Sequence, residues 1–183
     1  MKLIYTAMFL LTLVFYYLHS KRKSKYCFES KIDRLIPLTP IFIIPYSFYF
    51  PILIFAFVFL WNTDLYMGFI KMILICAVIN SLFWLIFPNG VKRREITKKG
   101  FFYDSVRLLR KMDRESNAFP SAHVSHTLVV SFWLWRLFPS YLILISVICF
   151  SVIISVLFTK QHYILDILGG VLSFLVSYSI VLL

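Results

Sequence analysis

Acidic residues are scarce in this chain. Eight Asp and Glu stand against nineteen Lys and Arg, and charged residues make up only 15% of 183 positions, where a soluble domain carries about 25%. Too little charge is present to solvate an ordinary water-soluble enzyme. Cysteine is rare as well: Cys27, Cys76 and Cys149 are odd in number and unpatterned in spacing, which excludes a disulfide framework and a thiolate metal site. No unit recurs at a period of roughly 20–50 residues and no low-complexity tract appears, so neither a solenoid nor a disordered tail is expected. One helical domain spanning 1–183 is the expectation.

Apolar residues are abundant, at 61%. They fall in runs at Leu3–Leu18, Ile41–Trp61, Tyr66–Phe87, His123–Phe138, Tyr141–Phe158 and Tyr163–Leu183, most of them near the roughly 17–25 residues that cross a bilayer as a helix. The pattern predicts an all-α, integral-membrane six-helix bundle. Lys21, Arg22, Lys23 and Lys25 follow the first run where a signal peptide would show small residues, so that run reads as an uncleaved anchor.

The formal charge of +11 is unevenly placed. Six cations lie in residues 21–34, nine in 88–122, and Lys160 precedes the last run; six alternating spans put these sixteen on one face, with Lys2, Lys71 and Arg136 toward the other. The positive-inside rule assigns the basic face to the cytoplasm. A site for a phosphorylated lipid would gather the same cations on either side of the membrane. Between spans three and four lies the one long polar connection, in which "FFYDSVRLLRKM" (101–112) sets Phe102, Val106 and Leu109 on one helical stripe away from Arg107, Arg110 and Lys111. This segment is expected to be a short interfacial helix, either capping the bundle or touching substrate.

Polar residues concentrate at two further places. "NAFPSAHVSH" (117–126) opens the fourth run. Ser121 is a good helix N-cap, leaving Ala122 and His123 in a first turn whose free N–H groups and dipole attract an anion. In "FTKQHYILDILGG" (158–170), His162 and Asp166 are four apart, hence neighbours on one helix face. A carboxylate there keeps one imidazole nitrogen protonated and the other free to attack, and an Asp so placed in a span needs a partner or a wet cavity. The hairpin between His123 and His162 returns the chain to its starting face, so both rings meet Lys92, Arg93 and Arg94 at one boundary. Nucleophile, orienting carboxylate, proton donor and oxyanion donors are the requirements of phosphoryl transfer. His126 allows a His123–His126–His162 metal site as the minor alternative, disfavoured by the scarcity of carboxylates. Asp113 and Asn117 are expected to order the loop, and Gly169 and Gly170 to permit close helix contact.

These segments resemble the type-2 phosphatidic acid phosphatases, six-helix lipid phosphatases and phosphotransferases in their membrane branch. "PSAH" (120–123) is similar to the family's Pro-Ser-Gly-His motif with Ala122 in place of Gly, and "KQHYILD" (160–166) to its His-x-x-x-Asp motif; "FPNG" with Arg93 and Arg94 resembles the first motif. The similarity extends over about 33–183. It implies that His162 attacks phosphorus to form a phosphohistidine, Asp166 supports it, and His123 protonates the departing oxygen. Ser121, the backbone at Ala122, Arg93 or Arg94, and Lys160 would hold the phosphate. No metal, cofactor or nucleic acid is implied; the partners are the bilayer and a lipid phosphate or polyprenyl diphosphate. The family's site faces the exoplasmic side of the cell membrane, opposite to the charge rule.

Three departures stand out. The Lys that begins the first motif falls at Ile86 or Phe87, neither Arg93 nor Arg94 precedes a proline, and the Arg six residues before the nucleophile is Val156. Lys160 is the candidate to replace that charge, as a point donor where Arg offers a fork. The expectation is a metal-independent lipid phosphatase, with a headgroup phosphotransferase or an inactive lipid-binding protein as alternatives; the oligomeric state is open.

Overall fold

The computed structural model describes residues 1–183 and is all helical. Its α-helices are α1 (Lys2–Ser20), α2 (Lys31–Leu35), α3 (Ile43–Ser47), α4 (Tyr49–Leu60), α5 (Tyr66–Ile86), α6 (Phe101–Met112), α7 (Ala122–Leu137), α8 (Leu142–Phe158) and α9 (Ile164–Leu182). Every apolar run became helix within a few residues of its expected bounds. The second is broken at Phe48, between α3 and α4. Pro51 accounts for the break: it has no N–H for the Ser47 carbonyl, and its ring crowds that oxygen.

Of the six expected spans, α7 alone falls short in length. Five helical segments are long and apolar enough to cross a membrane: Lys2–Ser20, Pro40–Leu60, Tyr66–Ile86, Pro139–Phe158 and Ile164–Leu182. α7 has only 16 residues, about 24 Å at 1.5 Å per residue, against a hydrocarbon thickness of about 30 Å. Pro120 and the Ser121 cap fix where α7 begins, so it starts at the polar cluster rather than at a full span's length.

α5 is the central post. It packs against α1, α7 and α9, and its Tyr66, Phe69, Ile70, Met72 and Ile73 are fully buried. Asn80 makes a polar tie across three helices, donating to Ser125 Oγ at 3.0 Å and accepting from Ser173 Oγ at 2.9 Å. In hydrocarbon each such bond contributes on the order of 0.6–1.7 kcal/mol. The outward faces are apolar: Ile143 is 77% exposed, Phe150 66% and Leu172 61%, an inversion of the soluble pattern that suits contact with lipid.

Helix ends sort into two groups. Lys2 Nζ donates to the Trp61 carbonyl at 2.7 Å, joining the start of α1 to the end of α4. At the other end the Thr39 N–H donates to the Phe158 carbonyl at 3.0 Å. Connections 21–39, 87–121 and 159–163 therefore gather at one end, carrying sixteen of the nineteen cations. α6 forms as expected, with Val106 buried and Phe102 and Leu109 half-buried. It also carries an outward apolar stripe of Phe101, Leu108 and Met112.

Candidate active site

Two helix N-termini cross at this end. Ser121 caps α7, its Oγ accepting from the Val124 N–H at 3.4 Å, and Ala122 opens the helix. Asp166 sits in the first turn of α9, and its Oδ2 accepts from the Tyr163 N–H at 2.8 Å. The Ser121 N–H donates to the Asp166 carbonyl at 3.0 Å, which locks the two turns together. So close an approach requires Gly170: a Cβ there would lie 2.7 Å from the Ser121 carbonyl oxygen and 2.8 Å from Val124 Cβ.

The crossing brings the expected imidazoles into contact. His162 Nε2 lies 3.4 Å from His123 Nδ1, and His162 Nδ1 lies 3.4 Å from Asp166 Oδ2. One assignment of protons suits both contacts: His162 carries its hydrogen on Nδ1 facing the carboxylate, and its Nε2 lone pair accepts from the His123 Nδ1–H. His162 is 6% exposed and Asp166 fully buried, so water competes little for either group. Asp166 Oδ1 and His162 Nδ1 are both buried without a hydrogen-bond partner, so the 3.4 Å approach of His162 to the carboxylate is an electrostatic contact rather than a formed hydrogen bond.

Of the candidate cations, only Arg93 bonds to the turn that carries His162, through the side chain of Gln161. Its Nη1 donates to the Asp113 carbonyl at 2.6 Å and the Arg110 carbonyl at 3.3 Å, and its Nη2 to the Arg114 carbonyl at 3.0 Å and Gln161 Oε1 at 2.5 Å. Burial draws its pKa down from the ordinary guanidinium value, opposed by the Asp113 carboxylate. Arg94 is exposed and offers only its carbonyl, to Arg110 Nη1 at 2.7 Å. Lys160 does not point into the site either, because its Nζ donates to the Asp33 carbonyl at 2.7 Å. Burial lowers the Lys160 pKa, Asp33 opposes that, and Arg94 adds to it. His126 turns toward Tyr49, its Nδ1 2.8 Å from the phenol oxygen, away from the arrangement in which it joined the other two histidines.

Two histidines and a carboxylate converge where two helices begin, in the chain order of the motifs, and Arg93 binds the residue just before the second histidine. Residues 38–180 match the PAP2 superfamily. The chain belongs to that family. No curated protein and no solved structure matched it. Membership of the PAP2 superfamily supports a phosphatase-type activity on a phosphate ester, and the long apolar helices fit a multi-pass membrane protein.

Several residues that position these motifs are not evident from sequence. Tyr46 and Tyr49 pack their rings against His123 in tilted geometry, at centroid distances of 4.9 and 4.4 Å. Asn89 of "FPNG" receives the Phe119 N–H at 2.6 Å and donates to the Phe119 carbonyl at 2.8 Å, tying the first motif to the second. Asp33 accepts from the Ile164 N–H at 2.9 Å, so a residue preceding the matched region caps α9. Tyr16 donates to Asp113 Oδ1 at 2.7 Å and its carbonyl accepts from Asn117 Nδ2 at 3.0 Å. Both loop residues are thus tied to α1, and Asp113 is also held through its carbonyl by Arg93. Only Asp33 carried a readable signal, a Ser-x-x-Asp capping box at 30–33.

Proposed function

We propose that the protein is a membrane lipid phosphate or diphosphate phosphatase of the cell membrane that works through a phosphohistidine intermediate. The contact of His162 and His123 at one membrane boundary, with Asp166 behind His162, carries this reading. His162 Nε2 attacks phosphorus as the bond to the lipid oxygen breaks, and His123 gives that oxygen its proton. Asp166 stabilises the charge that appears on His162. His123, now a base, takes a proton from water; the resulting hydroxide attacks phosphorus, and the P–N bond breaks to release phosphate. Arg93, the Ser121 hydroxyl and the N–H groups of the first α7 turn serve the nonbridging oxygens.

Geometry adds one requirement. Attack needs nitrogen roughly 3–3.5 Å from phosphorus, with the acid about 2.6–3.2 Å from the leaving oxygen beyond it. Rings touching at 3.4 Å therefore form a closed pair that parts when phosphate enters. An apolar groove of about 400 Å³ between α4, α7 and α8 is lined by Phe48, Ile52, Phe55, Leu134 and Ile148 among others, and by none of the residues of the paired-histidine centre. Its chemistry suits a lipid tail.

A headgroup phosphotransferase is the second reading. Among Arg93, Arg94 and Lys160, only Arg93 bonds to the residue beside His162, since Lys160 is held by Asp33 and Arg94 is exposed. A singly charged phosphodiester needs less compensation than a dianionic monoester. Purified protein in vesicles, given labelled phosphatidic acid, phosphatidylglycerophosphate or polyprenyl diphosphate with and without an alcohol acceptor, separates the two. Free phosphate supports hydrolysis and a labelled new lipid supports transfer; neither product from any of these lipids overturns both.

Gly170→Ala tests the helix crossing. The added methyl pushes the Ser121 turn away from α9, and a displacement of about 1 Å in such a centre costs on the order of 10²-fold in rate. Turnover is expected to fall by that factor, with overpacking removing about 1–3 kcal/mol of stability in a thermal melt.

A further inference from the structure

We infer that Gln161 is a phosphate-binding residue, its side-chain amide donating to a nonbridging oxygen beside Arg93. This deepens the phosphatase reading and rests on it. Gln161 is 3% exposed and immediately precedes His162. Both of their backbone N–H groups donate to the Val156 carbonyl, at 2.9 and 3.1 Å, so the two residues are held as one rigid turn. The Arg93 Nη2 contact at 2.5 Å identifies which end of the amide is oxygen, because a guanidinium has only donors to offer. The NH2 end is thereby fixed in orientation, and its nitrogen is buried without a partner. Arg93 Nε is likewise buried and unpartnered.

Leaving a buried donor unsatisfied costs about 1–3 kcal/mol, and here two such donors belong to one hydrogen-bonded pair, one member of which immediately precedes His162. An oxyanion is the ligand that answers both. Lys160 is the nearest cation in sequence to the charge absent at Val156, but its ammonium is bound to the Asp33 carbonyl. The residue between Lys160 and the nucleophile supplies a donor instead. Gln161 also uses its oxygen to hold Arg93 beside the phosphate, so it acts both by contact and through its neighbour.

Two substitutions separate the donor from the acceptor. Gln161→Met has similar length and neither function; Gln161→Lys has a donor and no acceptor. Turnover of labelled lipid phosphate and inhibition by vanadate, a phosphate analogue, are measured in vesicles beside a thermal melt. Gln161→Met is expected to raise the vanadate inhibition constant at least about tenfold and to lower kcat/KM by on the order of 10²-fold. Gln161→Lys should recover most of the vanadate affinity. Unchanged vanadate affinity in Gln161→Met overturns the inference. So does a Gln161→Lys protein no better than Gln161→Met, or a loss in both that follows the melting temperature, since these mark a partner of Arg93 only. A wild-type protein that neither turns over lipid phosphate nor responds to vanadate is a different result, the failure of the phosphatase reading itself.

Discussion

Replacing His162 with Ala is expected to lower turnover of a lipid phosphate by on the order of 10⁴-fold or more, with little loss of stability. Its ring contacts His123 at 3.4 Å and Asp166 at 3.4 Å, and the cap that fixes α9 does not use it, because Asp166 Oδ2 binds the Tyr163 N–H. Removal should cost rate and spare the fold. Single-turnover assays paired with a thermal melt check this. A residual rate within tenfold of wild type would remove His162 from the mechanism.

His123→Ala should behave differently, because a general acid matters in proportion to the basicity of what departs. With an alkyl lipid phosphate the leaving alkoxide needs a proton, and the loss should be on the order of 10²–10⁴-fold. With an aryl phosphate such as p-nitrophenyl phosphate the first step proceeds without that proton, and the formation of phosphoenzyme should fall far less. The pre-steady-state burst for the two substrates measures the contrast. Equal losses on both would assign His123 to binding rather than to proton transfer. Tyr46 and Tyr49, which cover its ring, are expected to hold it in place in either case.

Much of the fold was legible because a membrane imposes a simple rule: each backbone polar group must be paired within its helix, so long apolar runs become helices. The positions of α5, α8 and α9 followed from that alone. The break at Phe48 and the short α7 depended on Pro51 and on the Ser121 cap, local signals that hydropathy overrides when runs are counted. Within the site, His162 and Asp166 were readable from their four-residue spacing, and His123 from its place beside a capped helix start. Other contacts were not readable. Tyr49 meets His126 across 77 residues, and Asp33 meets Ile164 across 131; no local periodicity encodes such pairs. Arg93 and Arg94 are adjacent and chemically alike, so only the direction of each side chain separates the one beside Gln161 from the exposed one. Lys160 looked like an added phosphate ligand because sequence shows its charge but not the Asp33 carbonyl that holds it.

The most direct test is to catch the intermediate. Mixing the protein with ³²P-labelled lipid phosphate, quenching within one turnover in alkali, and mapping the label by mass spectrometry should give an acid-labile, base-stable phosphoryl group on His162, which accumulates in His123→Ala with an aryl phosphate. Label on Ser121 or another residue, turnover with no phosphoenzyme at any quench time, or an undiminished label in His162→Ala would contradict the account.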